Sequence, residues 1–208
     1  MGIGAALRAV WHGLRDVWRN GYAYIWANVA FFALCLPVVT APAAFAALCH
    51  VTHTARSQPW EADLALFWQV FRARLWRAMP WGLAHLAFVV VNMSNLAAYM
   101  GRPEPVWIIL RVFWWASAFV WWGVFQYTWF LYEEMETPSL RTATRNALIM
   151  VLVNPIFTLI VVACQIVIFS LSVLMPPTFV LLTFSVTVAI SSAAVQNRLD
   201  EYRRTRVE

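Results

Sequence analysis

Long apolar segments separated by short polar ones dominate the chain, and their lengths predict its helices. Residues 79–100 and 106–131 form two such runs, and residues 151–174 and 178–195 form two more on either side of a Pro-Pro pair. An α-helix crosses the roughly 30 Å hydrocarbon core of a bilayer with about 20 apolar residues. We therefore predict four transmembrane helices, and an all-α fold in which they form a polytopic bundle.

Two further segments have a one-sided apolar pattern. In residues 1–20, apolar side chains recur at intervals of three and four, and the arginines lie on the other side of the helix. Residues 60–77 repeat this pattern, with Leu64, Phe67 and Phe71 on one face. Such amphipathic helices lie in the plane of the membrane surface, so we predict two interfacial helices.

Residues 22–53 are apolar but interrupted at Pro37, Thr40 and Pro42, a candidate helix break. Proline lacks a backbone donor and disfavours helix in the preceding residue. Each half would be about 23 Å long as a helix, too short to cross alone. Either the segment is one kinked span, or it is a hairpin whose ends lie on the same side. Transporters bind substrates at such breaks, but we favour a turn at the tip of a hairpin.

The composition and the arginine positions identify the environment. Hydrophobic residues make up 62% of the chain and charged residues 12%, against about 25% charged in soluble domains. All 15 basic residues are arginines, grouped at the ends of apolar segments. This distribution argues against nucleic-acid binding and indicates cytoplasmic anchors for anionic membrane lipids. It favours the hairpin and predicts that both termini, including the charged tail 196–208, are cytoplasmic.

Three polar residues lie within the predicted span 79–100. His85 and Asn92 are two helical turns apart and share a face, and Asn95 extends its edge. Polar groups at this depth are costly unless they find partners or line a wet cavity. We expect hydrogen bonds to other helices, with Gln126 or Gln165 as partners; a polar path or substrate pocket is the alternative.

Tryptophans form two tracks along the predicted span 106–131. Each track repeats every seven residues, so the two form adjacent stripes on one helix. The first comprises Trp107, Trp114 and Trp121, and the second Trp115, Trp122 and Trp129. We predict a packing surface, within the bundle or against a partner; an aromatic platform for a ligand is the alternative.

No set of residues predicts catalysis, a cofactor or a metal. His50 and His53 share a helix face next to Cys49, but a zinc site needs three or four ligands. We expect this histidine pair to face lipid headgroups. The chain contains no lysine, so it lacks the phosphate-binding G-x-x-x-x-G-K-[ST] motif of ATPases.

An acidic group follows the predicted span 106–131. It comprises Glu133, Glu134 and Glu136, and Arg141 and Arg145 follow on the next predicted helix. We expect the two arginines to pair with these carboxylates on a solvated cytoplasmic face.

Three blocks in order resemble a known family. Residues 28–47 read NVAFFALCLPVVTAPAAFAA, an amphipathic FWQVFRARLWRAMPWG segment follows, and RNALIMVLVNP comes later. This order, over nearly the whole chain, resembles the YesL-type family of bacterial integral membrane proteins of unknown function. The chain has Ala41-Pro42 where that family usually has Gly-Pro.

The resemblance implies a setting rather than a site. Such proteins often accompany binding-protein-dependent ABC importers for carbohydrates, which implies a bacterial cytoplasmic membrane and permease or ATPase subunits as partners. We therefore expect a non-enzymatic accessory or assembly subunit. The alternative is a self-contained carrier of a small solute or lipid that uses His85, Asn92, Asn95 and the broken hairpin.

Overall fold

A computed structural model describes residues 2–207, and within them the chain forms nine α-helices joined by turns. The helices are α1 (Gly2–Arg19), α2 (Gly21–Cys35), α3 (Ala41–Ser57), α4 (Leu64–Tyr99), α5 (Pro105–Glu133), α6 (Leu140–Val153), α7 (Pro155–Val173), α8 (Pro176–Leu181) and α9 (Thr183–Val207). Three of them, α4, α5 and α7, are long and apolar enough to cross a membrane. The predicted all-α bundle with membrane-spanning helices is confirmed.

The predicted boundary between an interfacial helix 60–77 and a span 79–100 is wrong. Helix α4 is continuous and about 54 Å long, although Pro80 lies inside it. Its buried residues continue through the proline at helical spacing, from Phe67 and Phe71 to Ala78 and Trp81. This stripe packs mainly against α3. These tertiary contacts keep the backbone helical at Pro80, although proline alone would break the helix.

The other predicted spans also change. The segment 151–174 is divided at Asn154, whose φ of −125° and ψ of 57° are not helical, because Pro155 disfavours the helical conformation there. The predicted span 178–195 is divided between α8 and α9. Helix α9 is not among the candidate spans; most of residues 185–195 are buried among α1, α3, α5 and α7. Its serines and threonines therefore avoid lipid.

A buried asparagine stabilises the break between α8 and α9. Asn28, on α2, donates from Nδ2 to the carbonyl of Val180 at 2.6 Å and accepts from the amide of Ser185 at 2.8 Å. The Val180 carbonyl and the Ser185 amide belong to the end of one helix and the start of the next, where backbone groups lack intrahelical partners. One side chain thus satisfies both ends of the break.

Helices α2 and α3 form an antiparallel hairpin. Asn20 precedes α2, and its side chain donates to the carbonyl of Ala55 near the end of α3 at 3.0 Å. Arg56 pairs with Asp16 at 3.3 Å beside this contact. A single kinked span would place these ends far apart. Of the two alternatives, the structure therefore shows the hairpin.

The hairpin tip lies at the predicted break and stops partway along α4. Thr40 donates its hydroxyl to the Leu34 carbonyl, and Pro42 packs on Gly82 of α4. Gly82 is about 12 Å along α4 from Arg74 and about 26 Å from Tyr99. The hairpin therefore enters the bundle without reaching the far end of α4.

Helix α1 has three distinct sides. Its small residues, including Ala6, Ala9 and Gly13, are buried against α7 and α9. Leu7, Trp11 and other large apolar side chains are exposed on a second side, and its arginines are exposed on a third. This arrangement suits a helix that contacts protein, lipid and water at once.

Candidate functional site

A cavity of about 480 Å³ lies beside the hairpin tip, between the tip and helices α4, α5, α7 and α9. Its walls are mainly apolar and aromatic, with polar groups at a few positions. The apolar walls include Phe31, Val39, Phe45, Trp81, Leu86 and Phe125, and the polar residues are His85, Gln126, Thr187 and Ser191. Ligand pockets typically combine about 300–1,000 Å³ with a few polar groups in an apolar wall.

A glycine on α4 explains why the hairpin tip can pack against this helix beside the cavity. A side chain at Gly82 would clash with Pro42, since its Cβ would lie 2.7 Å from the proline Cβ. Gly82 therefore allows the tip to rest on α4. Beside this contact, the ring of Phe125 stacks on Phe45 at 4.7 Å and on Trp81 at 4.6 Å between centroids. These aromatic pairs form one wall of the cavity.

The cavity opens sideways, through a rim that is itself apolar. Val38 and Val39 at the tip are exposed, as are Leu83 and Leu86 on α4. Leu83 and Leu86 belong to α4, one of the candidate membrane spans. An acyl chain in a surrounding bilayer would meet this opening directly.

The polar residues behind the cavity form a closed network joining α5, α7 and α9. Gln126 donates to Gln165 Oε1 at 2.7 Å, and Ser191 donates to Gln126 Oε1. Gln165 in turn donates to Ser191 Oγ at 2.9 Å and to the Thr187 carbonyl at 3.0 Å. All three side chains are buried, so the network stabilises the floor of the cavity.

His85 lies in the cavity wall within a series of aromatic rings. Its Nδ1 accepts a hydrogen bond from Trp121 Nε1 at 2.9 Å. The imidazole lies 4.2 Å from the ring of Phe125 and stacks more loosely on Trp81 and Trp121. The expected bond from this histidine to Gln126 or Gln165 is therefore wrong, because those glutamines pair with each other.

The other two residues of the predicted polar face lie outside the cavity. Asn92 is buried and donates to the carbonyl of Trp114 at 3.0 Å, which joins α4 to α5. Asn95 donates to Val91 on its own helix and accepts from Tyr99 at 2.8 Å. These two asparagines have structural partners, and of the predicted face only His85 reaches the cavity.

The predicted tryptophan stripe divides by depth. Trp122 lines the cavity, Trp121 holds His85, and Trp129 is buried under Arg74. The remaining three lie on the half of α5 that contacts mainly α4: Trp107 packs on Tyr99, Trp114 accepts from Asn92 through its carbonyl, and Trp115 is 63% exposed. Only Trp129 is fully buried, and Trp115 and Trp122 are exposed, so the stripe packs within the protein at one end and presents an apolar surface along the rest.

An ionic cluster lies below the cavity, toward the arginine-rich end of the bundle. Glu133 accepts from Arg74 and from His50 Nδ1, the latter at 2.9 Å, and its side chain is only 8% exposed. Arg74 also lies over the rings of Trp129 and Tyr132. The carboxylate of Glu133 and the guanidinium of Arg74 thus have hydrogen-bonding partners on three helices. These charge-assisted bonds hold α3, α4 and α5 together.

This cluster corrects two predictions. The carboxylates of Glu133 and Glu134 pair with Arg74, His50 and Arg203 rather than with Arg141 and Arg145, which are exposed. Arg141 and Arg145 lie in the first half of α6, whose buried face consists of Ala143, Ala147 and Val151.

The histidine pair also differs from expectation. His50 faces protein, through Glu133, rather than lipid headgroups. Burial lowers the pKa of His53, although the carboxylates of Glu134 and Glu133 favour its charged form. The lowered pKa disfavours the charged form of His53, which does not suit a residue that binds anionic headgroups.

Sequence reasoning missed the cavity and the network behind it. The signal for the network was present, because Gln126 and Gln165 each lie in an apolar run and Ser191 lies in another. Which polar residues meet depends on helix packing, and that is not encoded in spacing along one helix. The predicted break at Pro37, Thr40 and Pro42 does locate the tip that borders the cavity.

Comparison of the chain with protein-family models, with curated proteins and with solved structures gives no match. The resemblance to the YesL-type family, carried by residues 28–47, 67–82 and 145–155, therefore stays a prediction.

Proposed function

We propose that this protein is a non-enzymatic integral membrane protein that binds the apolar chain of a membrane lipid, or of a similar amphipathic molecule, in the cavity at the hairpin tip. The observation that carries the proposal is a cavity of about 480 Å³ with an aromatic wall and an apolar lateral opening. An apolar cavity of about 150 Å³ already binds benzene. Three times that volume suits a longer chain.

The polar groups around the cavity support an uncharged guest. Gln126, Gln165 and Ser191 satisfy one another, and the Arg74–Glu133 pair is internally neutralised. No unpaired charge faces the cavity among the lining residues of the described chain. A charged head placed here would lack a counter-charge and would be costly.

A matched pair of variants tests the proposal. Leu86 lines the cavity and Val90 lies one turn further along α4 outside it, yet they are 57% and 55% exposed. Leu86→Trp narrows the cavity, while Val90→Trp places the same side chain on the exposed surface outside it. After purification in mild detergent, mass spectrometry of extracted lipids should show bound lipid retained by wild type and Val90→Trp and lost by Leu86→Trp. Equal lipid content in all three would contradict the proposal.

A second candidate function is an accessory or assembly subunit of a carbohydrate-type ABC import system, in a bacterial cytoplasmic membrane with both termini cytoplasmic. The supporting observation is the outer half of the α4–α5 pair. Between Leu83 and Tyr99 only Asn92 and Leu96 are buried, and residues 105–122 include no buried residue. This two-helix arm offers an apolar surface to other membrane helices.

Co-purification tests the second candidate. Tagged protein isolated in nanodiscs from its native membrane should carry permease or ATPase subunits in fixed ratio. Trp115→Ala, on the exposed surface of the arm, should release them, while Trp18→Ala on α1 should not. Isolation of the protein without such subunits would contradict the accessory role and leave the lipid-binding proposal standing.

A further inference from the structure

The second ring nitrogen of His85 offers a means of ligand selection in the cavity, given the lipid-binding function proposed above. Trp121 Nε1 is a pure donor, and it lies 2.9 Å from His85 Nδ1. A neutral imidazole that accepts at one nitrogen must carry its proton on the other. His85 therefore presents an N–H donor at Nε2.

That donor is available to a ligand. Nε2 has no hydrogen-bond partner among the described residues, and it is not one of their buried unpartnered polar atoms. His85 itself lines the cavity, beside Phe125 and Trp81. The site thus combines one free hydrogen-bond donor with flat aromatic surfaces.

The depth of His85 selects among lipids. Along α4, His85 lies about 12 Å from Arg77 and about 21 Å from Tyr99. Arg and Tyr side chains near the ends of a span lie at membrane interfaces, so a hydrocarbon core of about 30 Å places His85 about a third of the way across it, well inside the nearer interface. The ester carbonyls of a phospholipid lie beside its headgroup at the interface, so they do not reach this depth.

We propose that His85 donates from Nε2 to a carbonyl oxygen of a neutral, headgroup-free lipid, and that this bond sets the ligand preference of the cavity. A quinone ring on an apolar chain meets these requirements: a carbonyl acceptor, a flat ring to stack on Phe125 and Trp81, and no charge. A fatty-acid methyl ester offers the same carbonyl without the ring.

Competition against a photoreactive alkyl probe that labels the cavity tests the proposal. The competitors are a decyl-substituted benzoquinone, methyl decanoate and decylbenzene, each in nanodiscs containing wild-type protein, His85→Phe or His85→Asn. In wild type the quinone should displace the probe at a concentration about tenfold lower than decylbenzene, the factor expected for one hydrogen bond. His85→Phe should reduce this ratio to about one, and His85→Asn, which retains an N–H donor, should restore part of it.

The outcomes separate the two proposals. A quinone preference that persists in His85→Phe overturns the role of His85 while leaving chain binding intact. Failure of all three competitors to displace the probe overturns the lipid-binding function itself. If the ester competes as well as the quinone, the carbonyl bond is supported and the ring contribution is contradicted.

Discussion

Gly13 gives the most quantitative test of how helix α1 docks on the core. An alanine Cβ at this position would lie 2.6 Å from Ile190 Cα, 2.8 Å from the Ile190 nitrogen and 3.0 Å from the Ala189 carbonyl carbon. Carbon atoms prefer separations of about 3.5–4.0 Å. All three neighbours are backbone atoms of a buried helix, so they cannot move aside as a side-chain end could.

Gly13→Ala should therefore force α1 away from α9 by about 1 Å, and overpacking of this kind costs about 1–3 kcal/mol. The substitution also gains up to about 1 kcal/mol of helix propensity. Gly21→Ala is the matched control, since a Cβ there meets no atom within 4 Å. Because Gly21 is the first residue of α2 and gains less helix propensity than Gly13 inside α1, the difference in stability between the two variants is a lower bound on the steric cost.

Thermal unfolding in detergent, followed by size-exclusion chromatography of the surviving fraction, measures that difference. For a chain of this size, 1 kcal/mol corresponds to about 2–4 °C in Tm. We expect Gly13→Ala to unfold several degrees below Gly21→Ala. If the two variants have the same Tm, α1 does not contact α9 at Ile190 and the described core is wrong at this point.

Further predictions concern the ionic cluster, the polar network and the hairpin. Glu133→Gln should lower the free energy of unfolding by about 3 kcal/mol, because it leaves Arg74 buried without its counter-charge. A Tm equal to that of wild type would mean that the pair is solvated. Gln126→Leu should cost about 1 kcal/mol, as expected for hydrogen bonds between membrane helices, and denaturation in sodium dodecyl sulfate measures it; no loss would mean that the network is not formed. With the native cysteines replaced, a cysteine at Ser57 should react with an impermeant thiol reagent from the side opposite to one at Gly101, and reaction from the same side would contradict the path of α4.

Local signals in the sequence anticipated much of the fold. Pro37 and Pro42 located the hairpin turn, because proline limits the backbone wherever it occurs. Pro80 is the counterexample, since the stripe formed by Phe67, Phe71, Ala78 and Trp81 packs against neighbouring helices, chiefly α3, and keeps α4 whole. Backbone propensity determined the hairpin turn, whereas packing against other helices determined that α4 continues through Pro80.

The candidate site was less predictable. His85 was recognisable as a polar residue in an apolar run, but its partner is Trp121 rather than a glutamine. Gln126 and Gln165 pair with each other only because α5, α7 and α9 meet at one level. The cavity exists because a hairpin tip ends beside Gly82, and no periodicity along one helix contains that information.

The most direct test of the account is to map where a lipid chain contacts the protein. A phospholipid or fatty alcohol with a diazirine near the end of its chain would be crosslinked in nanodiscs and the adducts located by peptide mass spectrometry. We predict adducts concentrated at the cavity, on Val39, Phe45 and Leu86, and their loss in Leu86→Trp. Adducts spread evenly over the exposed residues of α4 and α5, such as Val90 and Ile109, with no excess at the cavity, would contradict its role as a lipid site.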